Sequence, residues 1–332
     1  MATYKGIQGF SIQNLSADPS NPIEGQVWYN STSNVWKVEE ATTVGAWATG
    51  GILTQPTSYT TGTGTQTAAL LSGGYDGTAV TGATQEYNGS TWSNGGPLSV
   101  ARNRLGSAGT QTAGLAFGGN DSTNPGMKDS TEEYNGSSWT TGGSMGTART
   151  GIAGAGIQTA ALVIGGASGS PLATTNATEE YNGASWSSGG TLINSRWSAG
   201  GAGIQTAGLV FGGDSTYSPA TFLSVSEEYD GNSWSAGNAL NTARMYLAGA
   251  GIQTSGIAMG GSIPAATGAT ELYDGISWTT TTSMSTARFL LGGAGADSTQ
   301  ALAFGGEIPP ISNVTEEWTG AGVAVTKTIT VS

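Results

Sequence analysis

Four pairs of adjacent acids are the first groups in this chain that could do chemistry: Glu132-Glu133, Glu179-Glu180, Glu227-Glu228 and Glu316-Glu317. Two neighbouring carboxylates can divide the work of general acid and general base. Each pair, however, sits in a short strand-forming run, and adjacent strand residues point to opposite faces, so the two acids of a pair meet different environments. One glutamate of each pair is expected to meet a regularly spaced arginine in a partly buried ion pair, which is a structural use. Asp76, Asp121 and Asp214 each closely follow a Gly-Gly pair and could touch Ca²⁺. No complete calcium-loop spacing accompanies them, and a loop aspartate commonly closes its own turn. The glycine-rich stretches lack a following Gly-Lys-Ser/Thr and are not phosphate loops. With 0 His and 0 Cys, the chain has no Ser-His-Asp or Cys-His pair, no His-ligated zinc or copper and no disulfide. No enzymatic activity, no metal and no cofactor are expected.

The elements that carry these groups repeat. Trp47, Trp92, Trp139, Trp186, Trp234 and Trp278 recur at steps of 44 to 48 residues. Gly73-Gly74, Gly118-Gly119, Gly165-Gly166, Gly212-Gly213, Gly260-Gly261 and Gly305-Gly306 keep the same beat. So do Tyr87, Tyr134, Tyr181, Tyr229 and Tyr273, each followed by Asn-Gly or Asp-Gly, with Trp318 in the sixth tyrosine position. In residues 149–192 one unit reads as four strands: Ile152 to Gly156, Ala160 to Ile164, Thr178 to Tyr181 and Ser185 to Ser187. Asn-Gly between the last two predicts a two-residue type I′ hairpin. Four antiparallel strands per ~45 residues make a β-propeller blade.

Composition agrees with an all-β repeat. Of 332 residues 56 are Gly, against a usual ~7%, and only 10% are charged, against a usual ~25%. A net charge of −12 repels phosphate backbones and anionic lipid, so nucleic acid is not an expected partner. Neither a signal-peptide apolar region nor ~18 consecutive apolar residues occur, so no membrane insertion is expected.

The Gly-Gly, Tyr and Trp positions, with Arg102, Arg149, Arg196, Arg244 and Arg288 before the first strands, resemble the kelch repeat. The first unit has Thr57 where the arginine would stand. The resemblance spans residues 37–320 and implies a six-bladed kelch-like β-propeller of four-stranded antiparallel blades. The sixth unit lacks a following Trp strand, and Ala46-Trp47-Ala48-Thr49 is expected to supply it and so close the ring without an open edge. A seventh blade would require Val35 to Glu40 and Val323 to Ser332 to build it. The expected divisions are 1–36, an N-terminal hairpin and docking segment; 37–320, the propeller; and 321–332, a C-terminal strand or tail.

Residues that repeat build a fold, so discrimination is expected from those that break the repeat. The loops after Gly-Gly and the positions just after each arginine share neither length nor composition. Tyr75, Arg104, Trp197, Tyr217, Tyr246 and Phe289 are the candidate ligand-binding residues, because aromatic rings with polar edges stack on sugars or anchor protein contacts.

Residues 18–37 read as a turn and hairpin, with Gly45-Ala46-Trp47 beyond. This segment resembles one frequent in bacteriophage tail-fibre and other virion proteins, and the Thr-Glu-Glu-Tyr-Asn-Gly-Ser-Ser-Trp unit looks like proteins of marine tailed phages. The resemblance implies a virion structural protein of tail-fibre or appendage type, made in the host cytoplasm. Its N-terminal segment, through Trp28, Tyr29 and Trp36, would dock on other virion proteins, and its propeller would bind a host surface glycan or receptor. A homo-oligomer is compatible with this, although no heptad pattern points to a trimeric stalk. The alternatives are a capsid or tail decoration protein without host binding, and a free carbohydrate-binding lectin or polysaccharide-degrading enzyme.

Overall fold

A computed structural model of the chain describes residues 13–19, 26–41, 44–123, 126–322 and 324–329. Among them every regular element is a β-strand and there is no helix. The chain divides into two compact units, one of residues 1–46 with 319–332 and one of residues 47–318.

The repeat at 149–192 shows how one sheet of the larger unit is made. Its strands are Ala153–Ile157, Ala160–Ile164, Thr178–Tyr181 and Trp186–Ser188, antiparallel and in that order. Ile157 pairs with Ala160, so Gln158-Thr159 is a two-residue turn. Tyr181 pairs with Trp186, which leaves four residues between the third and fourth strands and corrects the expected two-residue turn. A type I′ turn needs positive φ at both central residues. Here Gly183 alone has it, at 87°, and the Asn182 side chain instead accepts the backbone N–H groups of Ala184 and Ser185 at 3.0 and 2.9 Å. Asn-Gly therefore acts as an Asx turn with a glycine exit.

Other four-stranded antiparallel sheets of the same order run from Thr61–Thr65 out to Trp92–Asn94, from Gly106–Gly109 to Trp139–Thr141, from Gly200–Ile204 to Trp234–Ala236 and from Ala248–Ile252 to Trp278–Thr281. In the sheet that starts at Gly292–Asp297 and continues through Gln300–Phe304 and Thr315–Thr319, the fourth strand is Ala46–Thr49. This is a β-propeller-like arrangement.

The second strand is buried on both faces, and its packing shows why it is apolar. Ala161 and Val163 pack with Leu115 and Phe117 of the preceding sheet, whereas Leu162 and Ile164 pack with Val210 and Trp234 of the following one. Leu302 and Phe304 likewise pack with Ala69, Leu71 and Trp92. Each fully buried Leu, Ile, Val or Phe contributes roughly 1.5–3 kcal/mol relative to exposure, so these clusters dominate cohesion.

Polar residues then register the sheets. Arg196 is fully buried, and its Nη1 donates to the carbonyls of Gly212 and Val225 at 3.1 and 2.9 Å while Nη2 meets Glu227 at 2.5 Å. Arg102–Glu132, Arg149–Glu179, Arg244–Glu271 and Arg288–Glu316 repeat the ion pair. Burial lowers the pKa of each guanidinium and the facing carboxylate opposes that shift. The second glutamate of each acid pair faces the other way and accepts the phenol of the next repeat: Tyr181 to Glu133 at 2.6 Å, Tyr229 to Glu180 at 2.5 Å and Tyr273 to Glu228. Gln158 reaches back from its turn to the carbonyls of Gly114 and Tyr134 at 2.9 and 2.7 Å, and Gln111, Gln205 and Gln253 do the same one repeat earlier.

In the smaller unit Gln13–Leu15 pairs in parallel with Val27–Asn30, which pairs antiparallel with Val35–Ala41, and that strand pairs with Ala324–Ile329. The segments considered for a seventh blade thus do pair with each other, but beside Val27–Asn30. Val35–Ala41 spends its backbone hydrogen bonds on this sheet, within the unit of residues 1–46 and 319–332. Asp18 organises the unit, accepting Lys37 Nζ at 2.5 Å, Asn30 Nδ2 at 2.7 Å and Trp28 Nε1 at 3.0 Å. Those donors, Lys37 first, hold its carboxyl down at about 2.

Candidate functional site

Two residues beyond each repeat arginine the backbone does something strand-forming sequence does not announce. Tyr59, Arg104, Gly151, Ser198, Tyr246 and Leu290 all take a left-handed conformation, with φ between 52° and 62°. Each N–H donates to the carbonyl of the equivalent residue one repeat earlier: Arg104 to Tyr59, Gly151 to Arg104, Ser198 to Gly151, Tyr246 to Ser198 and Leu290 to Tyr246. Tyr59 donates in turn to Leu290, so six bonds of 2.7–2.9 Å run in a cycle. A left-handed non-glycine residue costs roughly 1–2 kcal/mol, and a hydrogen bond returns about 0.5–1.5 kcal/mol. The cycle holds five such residues in place because each bond supports the next.

These residues and the glycine-rich first strands line a cavity of about 120 Å³. Small first-strand residues are required there: a Cβ on Gly154 would stand 2.3 Å from the Ser107 carbonyl of the neighbouring sheet. The cavity lining contains one charged side chain, Arg104.

Side chains that break the repeat meet at this mouth. The Trp197 ring lies 4.9 Å from Tyr217 and 5.6 Å, edge-on, from Tyr246, and Tyr246 is 6.2 Å from Phe289. The Arg104 guanidinium sits over Tyr59 at 4.5 Å and 5.8 Å from Trp197. Gly151 permits this: a Cβ there would be 2.7 Å from Trp197 Cε3. Asp214 fixes the indole, accepting its Nε1 at 3.2 Å while holding the backbone N–H groups of Thr216 and Thr221 at 3.0 and 2.6 Å. Burial pushes the Tyr246 phenol up to about 12 against the opposing pull of Arg104, so it stays a neutral hydrogen-bonding group.

Five of the six residues expected from the sequence therefore come together, in different roles. Trp197 is only 4% exposed and is the floor under Tyr217, which is 40% exposed. Arg104, Tyr246 and Phe289 are half-buried at the mouth. Tyr75 is not part of the ring contacts; its phenol donates to the Gly77 carbonyl and its backbone pairs with Ser58. Tyr59, which the sequence reading missed, lies two residues after Thr57, as Arg104 lies two after Arg102, so the repeat offset alone pointed to it. Asp76 and Asp121 close their own turns on Thr78 and Thr123. Among the described residues no group of three acids gathers as a metal centre would require.

Of the residues expected to dock, Trp28 is fully buried. Tyr29 and Trp36 form a cross-strand ring pair at 5.3 Å and are partly exposed. No family model matches the chain, and no curated protein is similar to it.

Proposed function

We propose that residues 47–318 form a closed six-bladed propeller that is carried on a phage particle as a tail-fibre or appendage protein and binds a host surface glycan or receptor at the mouth lined by Arg104, without enzymatic activity. The six-bond cycle supports closure. So do four bonds that join the first repeat to the last in the manner of neighbours: Trp92 to Thr315 at 2.9 Å, Tyr87 to Glu317 at 2.5 Å and Gln66 to the carbonyls of Ala301 and Trp318 at 3.1 and 2.6 Å. Placement on a particle rests on the likeness of residues 18–37 to virion segments, with Tyr29 and Trp36 as the surface offered to other virion proteins and Trp28 as its support.

One observation carries the binding reading. Side chains that vary between repeats converge at one mouth, where a scaffold alone needs only the backbone cycle. Gold-tagged antibody to residues 57–320 on particles from a lysate tests the proposal. Label at a tail tip or fibre supports it, label over shell or tube supports decoration without host binding, and bare particles with free protein overturn it.

A further inference from the structure

Arg104 differs from every other arginine of the chain. Arg102, Arg149, Arg196, Arg244 and Arg288 each hold a glutamate and one or more carbonyls through their terminal nitrogens. Among the described residues the Arg104 side chain alone of these arginines has no carboxylate or carbonyl partner for its terminal nitrogens, while its Nε is buried without a partner as in the other five. It keeps only the rings of Tyr59 and Trp197. Rings satisfy the charge in part but accept none of the five in-plane N–H bonds a guanidinium can make. Asp214, the buried acid that holds the Trp197 indole, is spent on it and on two backbone N–H groups. The result is one unpaired cation with free donors, in a cavity otherwise lined by neutral groups and flanked by Tyr217, Tyr246 and Phe289.

A planar fork of donors matches a carboxylate bidentately. The rest of the protein narrows the choice: a net charge of −12 disfavours polyanions, while a single arginine suffices for a single carboxylate. The flanking rings suit the apolar face of a sugar better than an extended acidic peptide. We propose that the mouth recognises a saccharide bearing a carboxylate, of the uronic- or ulosonic-acid type, with the carboxylate on Arg104 and the sugar ring against Tyr217, Tyr246 and Phe289. This rests on the reading of the mouth as a glycan site and adds the ligand's charge to it.

The full chain would be titrated with glucuronate and N-acetylneuraminate, with glucose and N-acetylneuraminate methyl ester as neutral counterparts and with glutamate oligomers, following heat release and the ¹⁵Nε resonance of Arg104. Binding of at least one acidic sugar over its neutral counterpart, with movement of that resonance, supports the proposal. Arg104→Asn, whose side chain tolerates the left-handed backbone, should keep the fold and weaken binding about tenfold or more, and Arg104→Lys should recover part of it. Equal binding of acidic and neutral sugars, unaffected by Arg104→Asn, overturns the carboxylate assignment and leaves a glycan site standing. Binding of glutamate oligomers in preference to any sugar overturns the sugar assignment. Silence toward all of these overturns both.

Discussion

The interior between sheets and the mouth at the left-handed cycle are built on the same repeat, yet they break it in opposite ways. Inside, departures come in matched pairs. Where the first unit has Thr57 in place of the arginine it also has Gln85 in place of the glutamate, and Gln85 turns to Thr54 and Gln55. Where the sixth unit has Trp318 in place of tyrosine, the fifth has Leu272 in place of the accepting glutamate, and the two share an apolar cluster. At the mouth, Tyr59, Arg104, Gly151, Ser198, Tyr246 and Leu290 keep one backbone conformation while their side chains follow no common chemistry. Interior side chains answer to a partner in the chain; the backbone bonds of the cycle release mouth side chains from that duty.

The largest way to test this contrast is inside. Arg196→Met, which takes the counter-charge from buried Glu227, should cost about 3–5 kcal/mol in denaturant unfolding, whereas Arg196→Met with Glu227→Leu should recover only part of it, because the Ile193 and Asn194 N–H groups lose their acceptor. Alkali attacks all the phenol bonds at once. Burial first, then the facing glutamate, pushes Tyr87, Tyr134 and Tyr181 up to about 12, and Tyr229 and Tyr273 are raised as well. Folded values above the unfolded ~10 mean that this stabilisation is whole below pH 10 and is lost between pH 10 and 12. Thermal midpoints across that window should fall more steeply than in a variant with Tyr87, Tyr134 and Tyr181 changed to Phe. A smaller effect is expected from Trp318→Tyr, which places a hydroxyl opposite Leu272 and should cost roughly 1–3 kcal/mol; adding Leu272→Glu should return part of it as a favourable coupling in a double-mutant cycle. The smallest is at the mouth: Ser198→Gly relieves a φ of 53° and should leave stability unchanged or raise it by up to about 1 kcal/mol in the same unfolding measurement.

What could be read from the sequence follows from what is local. Strands such as Ala160–Ile164 and Thr178–Tyr181 lie where alternation and flanking glycines put them, and splitting each acid pair between two faces located the arginine partner, whereas the tyrosine of the next repeat went unread because it is distant in sequence. The Gln158 bonds escaped notice because their acceptors, Gly114 and Tyr134, are distant in sequence and are backbone carbonyls that carry no residue signature. The Asn-Gly turn misled because that dipeptide serves both a two-residue and a four-residue connection. At the mouth, residue type marked Trp197 as aromatic but not that Tyr217 covers it. The left-handed cycle left only Gly151 as a trace, since tertiary bonds, not local preference, hold the other five residues there.

The fourth strand of the sheet built on Thr315–Thr319 comes from Ala46–Thr49, near the other end of the chain. A ribosome makes Ala46–Thr49 long before its partner exists. At the ~5–20 residues per second of synthesis, that strand waits on the order of 10–50 seconds with its backbone unpaired. That register closes a loop nearly as long as the one between Val35–Ala41 and Ala324–Ile329, which places both among the slow, non-local steps of folding. A chaperone that shields Val35–Ala41 and Ala46–Thr49 during that wait would raise the yield of folded protein.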